Sequence, residues 1–365
     1  MFEDRNIKVF FSLLQAGLWN KPIAALAEFP LTASEWNSLY RAAVDQTVEG
    51  LIFDGLQRLP KEFLPPRALL MQWLVRVEKI EQRNRWMNSI LADQALFFEK
   101  ANLQPILLKG QGLASCYANP LRRMCGDIDW YFPTKKAYQS AVVTVAAAGV
   151  SVDHTAGFSA SYLWDGCEIE LHQKMFDLYN PFSWRYLAAF ENKEAAHGSL
   201  LSVGEAKVKL ASPMVQSLQV NAHILKHLLS FGIGLRQLCD AACLYVYYAK
   251  ELDGGRLKAI YSRLKLTKWI GLLHEILINY VGMPKQYLPF TVENKTSADW
   301  MMREIWQAGN FGFYDARYNQ GGKGCLTVRQ SGNQRLWKNF KNYLPYAPLE
   351  AISFPMVHFC SRFAK

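Results

Sequence analysis

A chain of 365 residues, half of them apolar and a fifth charged, has the material for two or three packed units around a sizeable core. Its 41 Lys and Arg against 31 Asp and Glu leave a net charge of +10 and a pI near 9.1, which favours an anionic partner such as a nucleotide, a nucleic acid or a phosphorylated metabolite. No apolar run approaches the roughly 20 residues that span a bilayer, Glu3 and Asp4 stand where a signal peptide carries only positive charge, and the seven cysteines form no Cys-x-x-Cys pair. The expectation is a cytoplasmic protein with reduced thiols and no membrane partner.

Residues 9–19 read as an amphipathic helix. Thr32 and Glu35 make a Thr-x-x-Glu capping box. Behind it Trp36, Leu39, Tyr40, Val44, Val48, Leu51, Ile52 and Leu56 recur at helical spacing until Pro60. A second helical pattern runs from Arg67 to about Ala101. The period then changes. Ile106, Leu107 and Leu108 form a short strand between Pro105 and Gly110, and 127–132 a second. Residues 134–148 read as a helix closed by Gly149. Strands are expected over 150–154, 158–164 and 167–175, and a hairpin about Gly204 over 200–210.

Ser212 and Pro213, at N-cap and N1, open a helix that runs toward Phe231. Helices follow over 235–250, 256–264 and 268–280. Residues 311–333, rich in Gly, Asn and Gln, read as a long loop. The last 56 residues carry eight Lys or Arg against Asp315 and Glu350, a local charge of +6. Strands and helices are segregated, so the fold class is α+β: a helical region over 1–101, an α+β core over 102–211 and a helical region with a basic tail over 212–365.

The chemistry lies in "LLKGQGLASCYANPLRRMCGDIDWYF". On a strand, Asp127 and Asp129 point to one face about 6.5 Å apart, with Ile128 turned to the core. Two such carboxylates repel unless a cation sits between them, and hard divalent ions take carboxylate oxygens while leaving room for phosphate oxygens. Lys109 offers a mobile positive charge for phosphate, and Gly110 lets a phosphate approach the backbone. These parts suit metal-assisted transfer on a nucleoside triphosphate.

Lys109-Gly110, Arg123 four residues before Asp127, and Asp127-Ile128-Asp129 resemble the uncharacterised-nucleotidyltransferase group of the DNA polymerase β-like nucleotidyltransferase superfamily. They are similar, too, to abortive-infection toxins with a Lys-Gly turn followed by Arg-x-x-x-Asp-Ile-Asp. The resemblance implies a small mixed sheet flanked by helices and two Mg²⁺ (or Mn²⁺) ions held by three carboxylates. It implies transfer of a nucleoside monophosphate to an acceptor with release of pyrophosphate. Asp127 and Asp129 would bind both metals, and Lys109, Arg123 and the Gly110 backbone would hold the β- and γ-phosphates. Better-known members end the first strand in Gly-Ser; Gly110-Gln111 stands here, and Lys109 is expected to take over part of the serine's work.

The resemblance also implies a third acid before Leu-His on a later strand. In "CEIELHQKMF" this selects Glu170 ahead of Glu168, which shares its face. His172 lies on the same face and either assists an acceptor hydroxyl or is structural. "SPMVQSLQVNAHILKHLL" and "LRQLCDAACLY" look like the helical half of the group. There His223 and His227 are spaced as in a zinc helix, without the glutamate a general base would require. Asp240 is expected to pair with Arg236 at i,i+4, and Arg236 is open to a triphosphate role.

The acceptor (protein, RNA or small molecule) is not legible. A catalytically inactive module that binds a nucleotide, RNA or a protein partner is the alternative. For the tail, the expectation is that 311–333 closes over the cleft with one or two cations facing the carboxylates, and that Trp337, Phe340 and Leu344 form a helix seam.

Overall fold

The structure, a computed structural model, describes residues 3–155, 159–317 and 328–360. Helix α1 (Arg5–Trp19) is capped by the Asp4 carboxylate, which accepts the Ile7 N–H at 3.2 Å. In α2 (Ala33–Asp45) the capping box forms, with Glu35 accepting from the Thr32 N–H at 2.7 Å. The periodicity expected to continue to Leu56 is interrupted at Thr47 (φ 55°), and α3 (Glu49–Leu56) starts in a new direction. This lets α3 lie against α1 at backbone contact: a Cβ on Gly17 would collide with the Leu51 carbonyl, and one on Gly55 with the Leu13 carbonyl.

Helix α4 (Arg67–Lys100) has 34 residues, about 50 Å at 1.5 Å per residue. Its first half packs Leu69, Trp73 and Val77 into a large helical core. Its second half packs Met87, Ile90, Leu91 and Phe98 beneath a sheet. One helix thereby joins both cores.

The sheet segment contains β1 (Ile106–Leu108), α5 (Gly110–Ala114), β2 (Ile128–Tyr131), α6 (Lys135–Ala147), β3 (Asp153–Thr155), β4 (Ser159–Trp164), β5 (Cys167–His172), α7 (Trp184–Glu194), β6 (Ser199–Val203) and β7 (Ala206–Leu210). The order across the sheet is β3-β4-β5-β2-β1-β7-β6. β2 with β5 and β1 with β7 are parallel, and the other pairs are antiparallel. One face, carrying Ile128, Trp130, Ile169 and Leu171, packs on α4 and α6. The other face carries Asp129, Glu170 and His172, because successive strand residues alternate sides.

After the sheet come helices whose buried residues join Ile106, Leu108 and Tyr131 of this second face in the larger core. They are α8 (Pro213–Leu229), α9 (Leu235–Tyr247), α10 (Gly254–Arg263), α11 (Thr267–Asn279), α12 (Asp299–Ala308), α13 (Val328–Tyr343) and α14 (Pro348–Cys360). Ser212 caps α8 by accepting the Val215 N–H, with Pro213 at N1. The long loop expected over 311–333 is shorter. A turn at Asn310–Gly312 follows α12, and α13 has begun by Val328. Among the described residues, α5, α7, α12 and α14 are the helices that periodicity missed. No helix among the described residues is long and apolar enough to cross a membrane.

Candidate active site

β1 runs out at Leu108, and the chain turns through Lys109 (φ 47°, ψ −139°) and Gly110 (φ 41°) into α5. The positive φ explains the glycine: a Cβ there would stand 3.3 Å from the Asp127 carbonyl. Strand pairing then assembles the polar groups. Antiparallel register sets Leu108 against Asp129, and parallel register sets Asp129 against Glu170. Ile128 and Ile169, both fully buried, anchor the two strands from the opposite face.

Asp129 is 2% exposed. Its Oδ1 lies 3.1 Å from Lys109 Nζ and 2.6 Å from His172 Nε2, and the same Nε2 lies 3.2 Å from Glu170 Oε2. Burial opposes the Asp129 charge, yet Lys109 and then His172 hold its carboxyl well below the usual carboxylate range. Burial likewise opposes charge on His172, but its bonds to Asp129 and Glu170 outweigh that and raise it to about 9. The His172 bond lowers Glu170, against burial. On Lys109, burial is outweighed by Asp129, Asp177, Asp127 and Glu170, and its pKa rises. Asp127, without so close a cation, is pushed up to about 6, first by repulsion from Asp129 and then by burial.

These groups line one wall of a cleft of about 280 Å³. α8 and α9 form the facing wall with His223, Lys226, His227, Arg236 and Gln237, and Phe311 closes one side. Asp177, just after β5, accepts from Lys226 Nζ at 2.9 Å and sits 2.9 Å from His223 Nδ1. Sequence reading missed Asp177; a lone aspartate on an irregular segment gives no periodic or motif signal. Burial pushes His223 down to about 4, helped by Lys109, so its ring is neutral.

The expected residues do not all stand where the sequence reading put them. Lys109, Gly110, Asp127, Asp129 and Glu170 share the cleft, and Glu168 is exposed and does not line it. Arg123 also borders the cleft but its guanidinium fork is engaged: Nε and Nη2 each donate to Asp240 at 2.7 Å, and Nη1 donates to the Met124 carbonyl. The fork thus meets a carboxylate 117 residues away in the sequence. The Arg236–Asp240 pair expected at i,i+4 gives way to that same contact. Arg236 instead donates from Nη1 to the Met124 carbonyl at 2.7 Å, and its Nε is buried without a hydrogen-bond partner.

The zinc-helix spacing of His223 and His227 yields ring contact, centroids 4.4 Å apart, rather than a ligand set. Among the described residues the group suited to a metal is Asp129, Glu170 and His172, with ligand atoms within 4.8 Å of one another.

In the tail, Arg317 and Arg335 pair with Asp315 at 2.8 and 3.0 Å, and Lys338 pairs with Glu304 at 2.9 Å. None of the three lines the cleft. Tyr318 and Lys323, and the side chain of Arg329, lie outside the described residues. The expected seam holds for Phe340 and Leu344, which pack on the core, while Trp337 is 59% exposed and stacks on Phe340.

With this geometry in hand, the chain can be set beside known proteins. The model of a family described as uncharacterised nucleotidyltransferase matches residues 32–277. The chain belongs to this uncharacterised nucleotidyltransferase family. The match takes in α4, the whole sheet and α8 to α11, and so includes every cleft residue named above except Phe311. No curated protein matches the chain. Among solved structures it is similar to an antigenic nucleotidyltransferase-like protein from Paracoccidioides brasiliensis, at 13% identity and a TM-score of 0.33. That similarity covers 54% of this chain and 92% of the other.

Proposed function

We propose that this member of the nucleotidyltransferase family transfers a nucleoside monophosphate from a nucleoside triphosphate to an acceptor, with Mg²⁺ or Mn²⁺ as cofactor. The observation that carries the reading is that Asp127, Asp129 and Glu170 line one cleft with Lys109 among them. A divalent cation fits this donor set. The carboxylates crowd closely enough that Asp129 drives Asp127 up to about 6, an excess of negative charge that a cation relieves. Asp127, Asp129 and Glu170 would hold the ion; bound there, it offsets phosphate charge and lowers the pKa of the attacking hydroxyl.

The chain's own groups then divide the work. His172 Nε2 bridges Asp129 and Glu170 and fixes their orientation. Lys109, on a flexible stem, exchanges its contact with Asp129 for a phosphate oxygen. Arg236, which lines the cleft, takes the β- and γ-phosphate role expected of Arg123, whose fork meets Asp240, beside the Gly110 backbone. The acceptor oxygen attacks the α-phosphorus in line, its proton passes to the carboxylate cluster, and the bond to the β-phosphate breaks to release pyrophosphate.

One observation favours a second reading, a module that binds a nucleotide without turnover: Lys109 and His172 already meet the charge of Asp129. Incubation with a cell lysate, a divalent ion and either α- or γ-labelled triphosphates separates the two. Transfer predicts that α-label reaches an acceptor, that γ-label leaves as pyrophosphate, and that Asp129→Asn abolishes both. Nucleotide binding with no label transferred would support the module instead.

A further inference from the structure

The strand wall of the cleft is ionic, and the side closed by Phe311 presents aromatic rings, with Lys226 one residue from His227 on α8. α8 carries the facing wall from Val220 past His223 to His227, and there the Phe311 ring packs with its centroid 4.8 Å from the His227 imidazole. Burial, reinforced by His223 and Lys226, holds His227 well below the usual histidine pKa, so both rings in this corner are neutral. Phe313 and Tyr314, the neighbouring aromatics, do not line the cleft.

Phe311 is held in an unusual backbone state. Its φ of 49° and ψ of 25° fall in the left-handed region, which bulky side chains rarely adopt. The turn also contains Gly309 (φ 62°) and Gly312 (φ 72°), residues suited to such angles. From α13, Arg335 ties this turn to the helix: its Nη2 donates to the Gly312 carbonyl at 3.4 Å and pairs with Asp315 at 3.0 Å. A glycine at 311 would relieve the strain, yet an aromatic ring stands there and faces the cleft. Strain kept at a site-facing side chain points to a use for that side chain.

We propose that Phe311 is the stacking platform for the base of a purine or pyrimidine nucleoside triphosphate, with the His227 imidazole flanking the base and the phosphates directed to Lys109. This rests on the nucleotide reading above and deepens it: one end of the cleft matches the charged half of a nucleotide and the other its π face. Among the described residues, the tail reaches the cleft through this ring and not through the cations Arg317, Arg335 or Lys338.

The test compares binding of Mg²⁺-nucleoside triphosphates with Mg²⁺-tripolyphosphate, which has the phosphates and no base, by the full chain and by Phe311→Leu and Phe311→Trp. The parent chain should bind the nucleotides more tightly than tripolyphosphate. Phe311→Leu should lose at least about fivefold in nucleotide affinity, the low end of a base–aromatic stack, with tripolyphosphate unchanged. Phe311→Trp should bind nucleotides as tightly as the parent. Undiminished nucleotide binding by Phe311→Leu, or equal loss of both ligands, would overturn the platform while leaving the nucleotide reading in place. A parent chain that binds neither ligand would overturn that reading and the platform with it.

Discussion

Asp129 is the most constrained carboxylate of the cleft, 2% exposed and shared by Lys109 and His172. Its burial changes what Lys109 is expected to do. A strand-end lysine on the surface could be removed without harm, but here the ammonium compensates a buried charge. Lys109→Met should cost about 1.5–3 kcal/mol, the range for a hydrogen bond to a charged group. The double variant Lys109→Met/Asp129→Asn should recover part of that loss in urea denaturation. Strictly additive losses would show that the two side chains are energetically independent. Lys109, Asp127 and Asp129 were legible because their meaning is local: a turn after a strand and two same-face acids. The role of His172 as a bridge was not, since it depends on Asp129 lying on a different strand.

Among the elements, the segment between α5 and β2 is tied to α9 by the Arg123–Asp240 fork, both side chains buried, with the Tyr117 hydroxyl donating to Asp240 at 2.7 Å. Asp240→Asn leaves the Arg123 charge in the interior with a weaker partner. It should destabilise the chain by about 3–5 kcal/mol. Arg236→Met, which breaks no carboxylate pair, should fall well short of that loss in the same denaturation experiment while weakening triphosphate binding. Equal losses from the two variants would contradict this division between a structural and a ligand-facing arginine. Short-range signals carried most of the elements: the capping box of α2, the proline-led start of α8, and the hairpin at Gly204. Parallel pairing of β2 with β5 and of β1 with β7 left no local trace, because their partners are separated by helices and other strands. The Arg123–Asp240 pairing was not legible for the same reason: the offset of Arg123 from Asp127 is visible in sequence, while its partner on α9 is not.

At the scale of the whole molecule, a helical core that keeps histidines neutral sets the acid stability. Burial pushes His274 down to about 3 and His223 to about 4. Their unfolded values lie near 6.5, so below that pH the unfolded chain binds more protons, and stability falls as pH drops from about 6.5 toward 4. His172, raised to about 9, acts with the opposite sign: its contribution is complete below about 6.5 and is lost as pH rises through 9. The unfolding midpoint should therefore be highest near neutrality. His274→Gln should remove up to about 2–3 kcal/mol of the decline between pH 6.5 and 4.5, and an unaltered acid limb in that variant would contradict the assignment. The central claim concerns the carboxylates that the sheet brings to the cleft, and Glu168 and Glu170 provide a matched control two residues apart on β5. The most direct measurement is Mn²⁺ binding by electron paramagnetic resonance, in the presence of a nucleoside triphosphate, for the parent chain, Glu170→Gln and Glu168→Gln. Glu168→Gln should bind as the parent does and Glu170→Gln at least about tenfold more weakly, as expected for a lost carboxylate ligand. Parent-like binding by Glu170→Gln, or an equal loss in Glu168→Gln, would contradict the account.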